Sequence, residues 1–151
     1  TGSIYFNHLF SMGVDAIMES ISMIKQGNAP KLIQDEGAAT SEPLCNDAVA
    51  AIDWNRPARQ IHNLIRGCDP QPGAFVTQDS EKLRFYGPRL VKEPSDETPG
   101  TLLEANDTGL HIAVTGGRLI IGKVKFGSNK KTAGADYAAE QGLKPGDLLG
   151  N

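Results

Sequence analysis

The sequence predicts a mainly β fold: a small closed or nearly closed barrel with short helices, preceded by one long helix. Apolar residues recur at helical spacing through the first 27 residues. After residue 73, short alternating runs are separated by turns rich in Gly, Pro and Asn. The chain holds 17 Gly and 9 Pro in 151 residues, which favours many turns over disorder.

Residues 1–27 form the first predicted element, a helix of roughly six turns that ends at Gly27-Asn28. Its apolar face comprises Phe6, Phe10, Ile17, Ile21 and Ile24. The following residues offer this face no partner, so we interpret the helix as the last one of a larger α/β domain whose earlier part is not in this chain. Residues 28–52, which contain Pro30, Gly37 and Pro43, are predicted to be a linker.

Residues 53–151 are predicted to form the barrel domain, which opens with a short helix. Pro57 suits the first helical position, with Asp53 or Asn55 expected to cap the helix. Gly67 ends it. The apolar face of this helix comprises Ala58, Ile61, Leu64 and Ile65.

Strand-like runs make up most of the barrel domain. The runs cover residues 74–77, 83–86, 89–91, 101–105, 110–114, 118–121 and 123–126, from which we expect five or six barrel strands. Breaks are predicted at Gly87-Pro88 and at Gly122. A short helix over 133–141, stopped by Gly142, follows the last run.

The charge is unevenly distributed along the chain. The net charge is −3, yet residues 54–131 carry 12 Lys and Arg against 8 Asp and Glu. This middle segment is either a surface that faces phosphates or an ordinary solvated barrel exterior. The residues we select as the candidate binding set are Arg66, Lys123, Lys125, Lys130 and Lys131.

Several kinds of site are not indicated. Cys45 and Cys68 lack metal-ligand spacing and are interpreted as two reduced thiols. The 3 His residues are in no metal-like or Ser-His-Asp arrangement. Trp54 is interpreted as a buried anchor, the alternative being a platform for a base or pterin. No long apolar run and no secretory leader is found, so a cytoplasmic location is expected.

Several segments together resemble a known family. Residues 30–40 read PKLIQDEGAAT and residues 53–75 read DWNRPARQIHNLIRGCDPQPGAF. PGT at 99–101, GLHI at 109–112 and GLKPGDLL at 142–149 follow in the same order as in that family. The pattern resembles the C-terminal region of the folate-dependent formyltransferases, of the methionyl-tRNA type.

The resemblance implies a barrel similar to an OB-fold, and it identifies the first helix as the end of a Rossmann-like N-terminal domain. It places the catalytic Asn, His and Asp and the folate loop in that N-terminal domain, so we assign no catalytic residue here. The one-carbon donor, 10-formyltetrahydrofolate, is expected to be bound there, and no cofactor or metal is expected in this chain.

The sequence does not determine which molecule accepts the formyl group. The barrel is expected to help bind initiator tRNA, or another amine acceptor, through the candidate cations. A second interpretation is a formyltransferase for a small molecule, or a hydrolase of formyltetrahydrofolate. A third is a free-standing OB-like binding module, against which the first helix counts because it lacks a partner.

Overall fold

The computed structural model describes residues 2–93 and 95–150. The chain divides into two compact units, Thr1–Leu44 and Cys45–Asn151. The boundary lies within the segment that we interpreted as a linker.

The first unit contains the long helix. Helix α1 (Gly2–Ile4) continues through a π-helical turn (Tyr5–Leu9) into α2 (Phe10–Lys25). Gly27 follows with a φ of +70°, a conformation that ends helices and suits Gly. Apolar side chains of this helix are exposed, among them Phe6 at 73% and Phe10 at 60%.

The second unit is a mainly antiparallel β structure with short helices. Its helices are α3 (Asp47–Ala50), α4 (Ala58–Gly67) and α5 (Gly134–Gln141). Its strands are β1 (Ala74–Gln78), β2 (Glu81–Val91), β3 (Leu102–Asn106), β4 (Gly109–Val114), β5 (Gly117–Phe126) and β6 (Thr132–Ala133). The sheet order is β1-β2-β5-β4-β3, with β6 paired to the end of β5 that β4 does not reach.

The sheet is barrel-like, and the C-terminal segment lies between its two edge strands. On the β3 side, the Leu102 N–H donates to the Asp147 carbonyl at 2.8 Å. On the β1 side, the Gly150 N–H donates to the side-chain oxygen of Gln78 at 3.3 Å. The predicted fold class, a mainly β and barrel-like sheet with short helices, is therefore confirmed.

The two predicted breaks inside strands are wrong. β2 runs through Gly87-Pro88 and β5 runs through Gly122, and the two strands pair antiparallel along their lengths. Residues on either side of each Gly pair with the neighbouring strand, and the Gly87 N–H donates to the Asp69 carboxylate at 3.1 Å, so the strand continues without a turn. Gly87 keeps a positive φ of +61° inside the strand, where Gly is tolerated because it lacks a Cβ.

The core fills the inner side of the sheet. Fully buried side chains of the strands and of α4 meet there, including Ile61, Ile65, Leu83, Phe85, Ile112, Leu119 and Val124. The predicted capping of α4 is wrong: Pro57 is the N-cap and no side chain caps it. The two candidates bond to each other instead: the Asp53 carboxylate accepts from the Asn55 N–H and from the Asn55 side-chain amide, both at 3.0 Å.

Candidate anion-binding cleft

A cleft of about 590 Å³ lies on the outer side of the β2–β5 pair. Its cationic side chains are Arg84, Lys125, Lys130 and Lys131. The other lining residues are Pro70, Gln71, Pro72, Tyr86, Gly127, Ser128 and Asn129. No Asp or Glu is among the described residues that line it, so its lining favours an anion.

Strand alternation places the cations on this outer side. Leu83 and Phe85 are fully buried in the core, so Arg84 and Tyr86 point to the opposite face of β2. On β5 the same rule applies around Val124, which is also fully buried. Its two neighbours, Lys123 and Lys125, therefore lie on the outer face.

The strand register puts two cations directly opposite each other. Arg84 on β2 is the partner of Lys125 on β5. Like charges at directly opposed positions destabilise an antiparallel pair. Both side chains are only partly exposed, and Arg84 Nη1 also donates to the Gly127 carbonyl at 3.5 Å. An anion bound between them would relieve the repulsion.

Tyr86 forms part of the cleft wall beneath Lys131. Lys131 Nζ lies 3.3 Å from the centroid of the Tyr86 ring, a cation–π contact. Tyr86 is 4% exposed, and its burial raises the pKa of the phenol. Gly73 leaves room for this ring, because a Cβ on Gly73 would lie 2.5 Å from the Tyr86 hydroxyl oxygen.

A second, adjoining cleft of about 420 Å³ contains Lys123. It shares Tyr86 and Lys131 with the first cleft. Its acidic member is Asp69, whose carboxylate accepts a hydrogen bond from the Gly87 N–H at 3.1 Å. The second cleft is therefore of mixed charge, and the first is the stronger candidate for an anion.

The structure brings together most of the candidate binding set. Lys125, Lys130 and Lys131 line the first cleft and Lys123 lines the second. Arg66 is exposed on α4 and is not among the lining residues of either cleft. Arg84 was missed; its signal was its position between two buried residues of an alternating strand.

Trp54 behaves as the anchor that the sequence predicted. Its ring centroid lies 5.7 Å from that of Phe85, edge to face, and the side chain packs against the core. Its Nε1 donates to the Leu149 carbonyl at 2.7 Å. The indole N–H is thereby used inside the fold, which favours the anchor interpretation over a stacking platform.

Within residues 2–93 and 95–150, no cluster of three or more His, Cys, Asp or Glu is placed to hold a metal ion. No helix in this described part is both long and apolar enough to cross a membrane. His111 is buried, with Nε2 2.7 Å from the Thr108 hydroxyl oxygen.

The fold and the cleft define the class of protein: a small, barrel-like antiparallel sheet with a cationic cleft on its outer side. Residues 46–142 match the model of the formyl transferase C-terminal domain. The chain belongs to this family, as the order of its sequence motifs predicted.

Similar proteins cover nearly the whole chain. It is 31% identical over 150 residues to the methionyl-tRNA formyltransferase of Moorella thermoacetica, covering 99% of this chain and 48% of that protein. It is 32% identical to that of Desulfotalea psychrophila, covering 95% and 46%. It is 34% identical to the cytosolic 10-formyltetrahydrofolate dehydrogenase of Xenopus laevis, covering 89% and 16%. The chain thus spans about half the length of the methionyl-tRNA formyltransferases it matches.

Solved structures share the fold. The crystal structure of HypX from Aquifex aeolicus in complex with tetrahydrofolic acid superposes with a TM-score of 0.70 at 20% sequence identity. The match covers 92% of this chain and 25% of HypX. At this identity the likeness establishes the fold alone.

Proposed function

We propose that this chain is the acceptor-binding part of a folate-dependent formyltransferase of the methionyl-tRNA type. In this proposal the cationic cleft holds the phosphate backbone of initiator tRNA. The observation that carries it is the directly opposed pair of Arg84 and Lys125, with Lys130 and Lys131 in the same cleft. The methionyl-tRNA formyltransferases among the similar proteins support it.

Phosphate groups fit the cleft better than a small neutral ligand. Four cations around about 590 Å³ exceed what one small anion needs, and a polynucleotide can offer several phosphates at once. Such contacts position a nucleic acid without reading its sequence. The chain as a whole is acidic, at −3, so the binding depends on this local surface and not on net charge.

The chemistry of formyl transfer belongs, in this proposal, to the part of the relatives that the chain does not span. A base must take the proton of the attacking amine, and a donor must stabilise the developing oxyanion. We assign both groups, and the binding of 10-formyltetrahydrofolate, to a Rossmann-like domain. Residues 1–27 would be its last helix, 28–52 a linker and 53–151 the barrel domain, in a cytoplasmic enzyme.

A second candidate function has its own support. The Xenopus laevis relative, 34% identical, is a cytosolic 10-formyltetrahydrofolate dehydrogenase. The same chain region therefore occurs in proteins with other named activities. In that case the cleft would bind a phosphate-bearing small acceptor, or contribute only to the fold.

The test is a titration of labelled initiator tRNA with the full chain at low and moderate salt. Binding is expected in the non-specific range of roughly 10⁻⁴–10⁻⁶ M. The double variant Lys130→Ala/Lys131→Ala should bind tRNA more weakly. The slope of the logarithm of its binding constant against the logarithm of the salt concentration should become shallower, by about 0.7–0.9 for each lysine–phosphate interaction that the substitutions remove. The matched control is Lys31→Ala/Lys144→Ala, which removes two exposed lysines outside both clefts. No binding at low salt, or equal weakening in the two double variants, would move the proposal to a small-molecule acceptor.

A further inference from the structure

The two thiols of the chain lie side by side. Cys45 Sγ and Cys68 Sγ are 3.5 Å apart and share a hydrogen bond, although the residues are 23 positions apart in sequence. Cys45 is exposed to solvent, whereas Cys68 is 1% exposed and belongs to the core. One thiol is therefore open to a reagent, and the other lies directly beneath it.

The backbone on both sides of the pair is anchored. Cys68 donates its N–H to the Leu64 carbonyl at 2.9 Å and accepts from the Gly73 N–H at 2.9 Å. Cys45 immediately precedes Asn46, whose side chain caps α3 by accepting from the Ala48 N–H at 3.0 Å. A disulfide requires the two sulfurs to approach by only about 1.5 Å from their 3.5 Å separation.

Further contacts hold α3 against the barrel. Asp47 forms an ion pair with Lys82 of β2, and Ala50 is fully buried. Ile52 donates its N–H to the Phe75 carbonyl at 2.8 Å. The position of Cys45 above Cys68 is therefore set by the packing of the barrel unit, to which both residues belong.

We propose that Cys45 and Cys68 form a reversible intramolecular disulfide, in which Cys45 reacts first and Cys68 resolves. The oxidant is a low-molecular-weight disulfide of the glutathione type. The Cys45 thiolate attacks one sulfur of the oxidant, and the S–S bond of the oxidant breaks to release one thiol. The Cys68 thiolate then attacks Cys45 Sγ and expels the second thiol. The protein loses two electrons and two protons, and the oxidant is reduced to two thiols.

The second step is the slow one. Burial, with a smaller effect of the hydrogen bond from Cys45, raises the pKa of the Cys68 thiol to about 12. Only the thiolate attacks, so little of Cys68 is reactive near neutral pH. The mixed disulfide at Cys45 should therefore accumulate before the intramolecular bond forms. Once formed, the bond would fix the chain covalently where the barrel unit begins.

The experiment treats the reduced full chain with oxidised glutathione, stops the reaction with acid, blocks free thiols and measures intact mass and peptide maps over time. We expect a glutathione adduct on Cys45 first, followed by a Cys45–Cys68 disulfide within one molecule. The second step should accelerate as the pH rises from about pH 7 to about pH 9, because the thiolate fraction of Cys68 grows.

Variants assign the two roles. Cys45→Ser, at an exposed position, should abolish both the adduct and the disulfide. Cys68→Ala should stop at the adduct, and Cys68→Val serves if the smaller side chain destabilises the core. An adduct on Cys45 that stays unresolved at about pH 9 would overturn the proposal, as would a disulfide that joins two molecules. Failure of Cys45 to react at all would overturn it equally.

Discussion

Trp54 Nε1 donates a hydrogen bond to the carbonyl oxygen of Leu149 at 2.7 Å, which joins residues 95 positions apart. The indole lies over Gly100, where a Cβ would come within 2.5 Å of the ring. Gly100 in turn accepts from the Leu149 N–H at 3.0 Å. These three residues connect the start of the barrel unit, the segment before β3 and the C-terminal segment.

Replacing Trp54 by Phe should lower the free energy of unfolding by about 1–3 kcal/mol, because the buried Leu149 carbonyl loses its donor. Phe keeps an aromatic ring against Phe85, so the hydrogen bond is the main loss. Urea unfolding followed by circular dichroism measures the change. A loss below about 0.5 kcal/mol, typical of surface substitutions, would show that the bond does not stabilise the barrel.

Leu149 and Leu148 provide a matched pair for the C-terminal segment. Leu149 is fully buried and Leu148 is 53% exposed, so the same substitution tests burial alone. Leu149→Ala should cost about 2–5 kcal/mol of unfolding free energy. Leu148→Ala should stay within about 0.5 kcal/mol. Similar losses in both would mean that the segment is not packed between the edge strands as described.

The pH dependence of stability should include a contribution from His111. Burial lowers its pKa, an effect that Arg118 and Arg89 reinforce and that Glu104 opposes. The unfolded chain therefore binds this proton at a higher pH than the folded chain does. The contribution of His111 to the free energy of unfolding should fall as the pH drops below about 6.5, the ordinary pKa of His. Above that pH the contribution should stay level.

The variant His111→Gln isolates that contribution. Its unfolding free energy, measured by urea titration between about pH 7.5 and about pH 5, should decline less steeply than that of the unsubstituted chain. Gln retains a hydrogen-bonding group near the Thr108 hydroxyl, which lies 2.7 Å from the His ring nitrogen. Equal slopes for both proteins would contradict the assignment.

Ala variants at Gly73 and Gly116 allow the cost of a steric clash to be distinguished from the cost of backbone strain. Both have positive φ, +84° and +89°, but only a Cβ on Gly73 meets another group, the Tyr86 hydroxyl at 2.5 Å. Both Ala variants should be strained, and Gly73→Ala should be destabilised by about 1–3 kcal/mol more because it also overpacks. Denaturant midpoints measure the difference. Equal destabilisation would show that Tyr86 moves away without cost.

Local signals in the sequence predicted much of the barrel. The Pro at the start of α4, the Gly at its end and the turn residues around β3 and β4 influence the backbone of only a few neighbouring residues. Such local signals can be recognised in the sequence. Gly87 and Gly122 carried the same signal and were misleading, because the residues on both sides of each Gly pair between β2 and β5 and keep the strands continuous. Tertiary pairing overrode a local preference in both places.

Part of the site follows from the sequence and part does not. Lys130 and Lys131 are adjacent in the sequence and were selected from it as part of the candidate binding set. Arg84 faces Lys125 only because of the strand register, which spacing along the chain does not determine. The contact of Cys45 with Cys68 likewise depends on how α3 packs, and their separation along the chain does not indicate it.

The most direct test of the proposed tRNA interface is lysine protection. The full chain is acetylated with limiting reagent, alone and in complex with initiator tRNA at low salt, and each lysine is quantified by mass spectrometry. We expect that tRNA slows acetylation of Lys125, Lys130 and Lys131 several-fold and leaves acetylation of the control residues Lys31 and Lys144 unchanged. A complex in which the cleft lysines react as fast as in the free chain, or in which the control residues are protected equally, would contradict it.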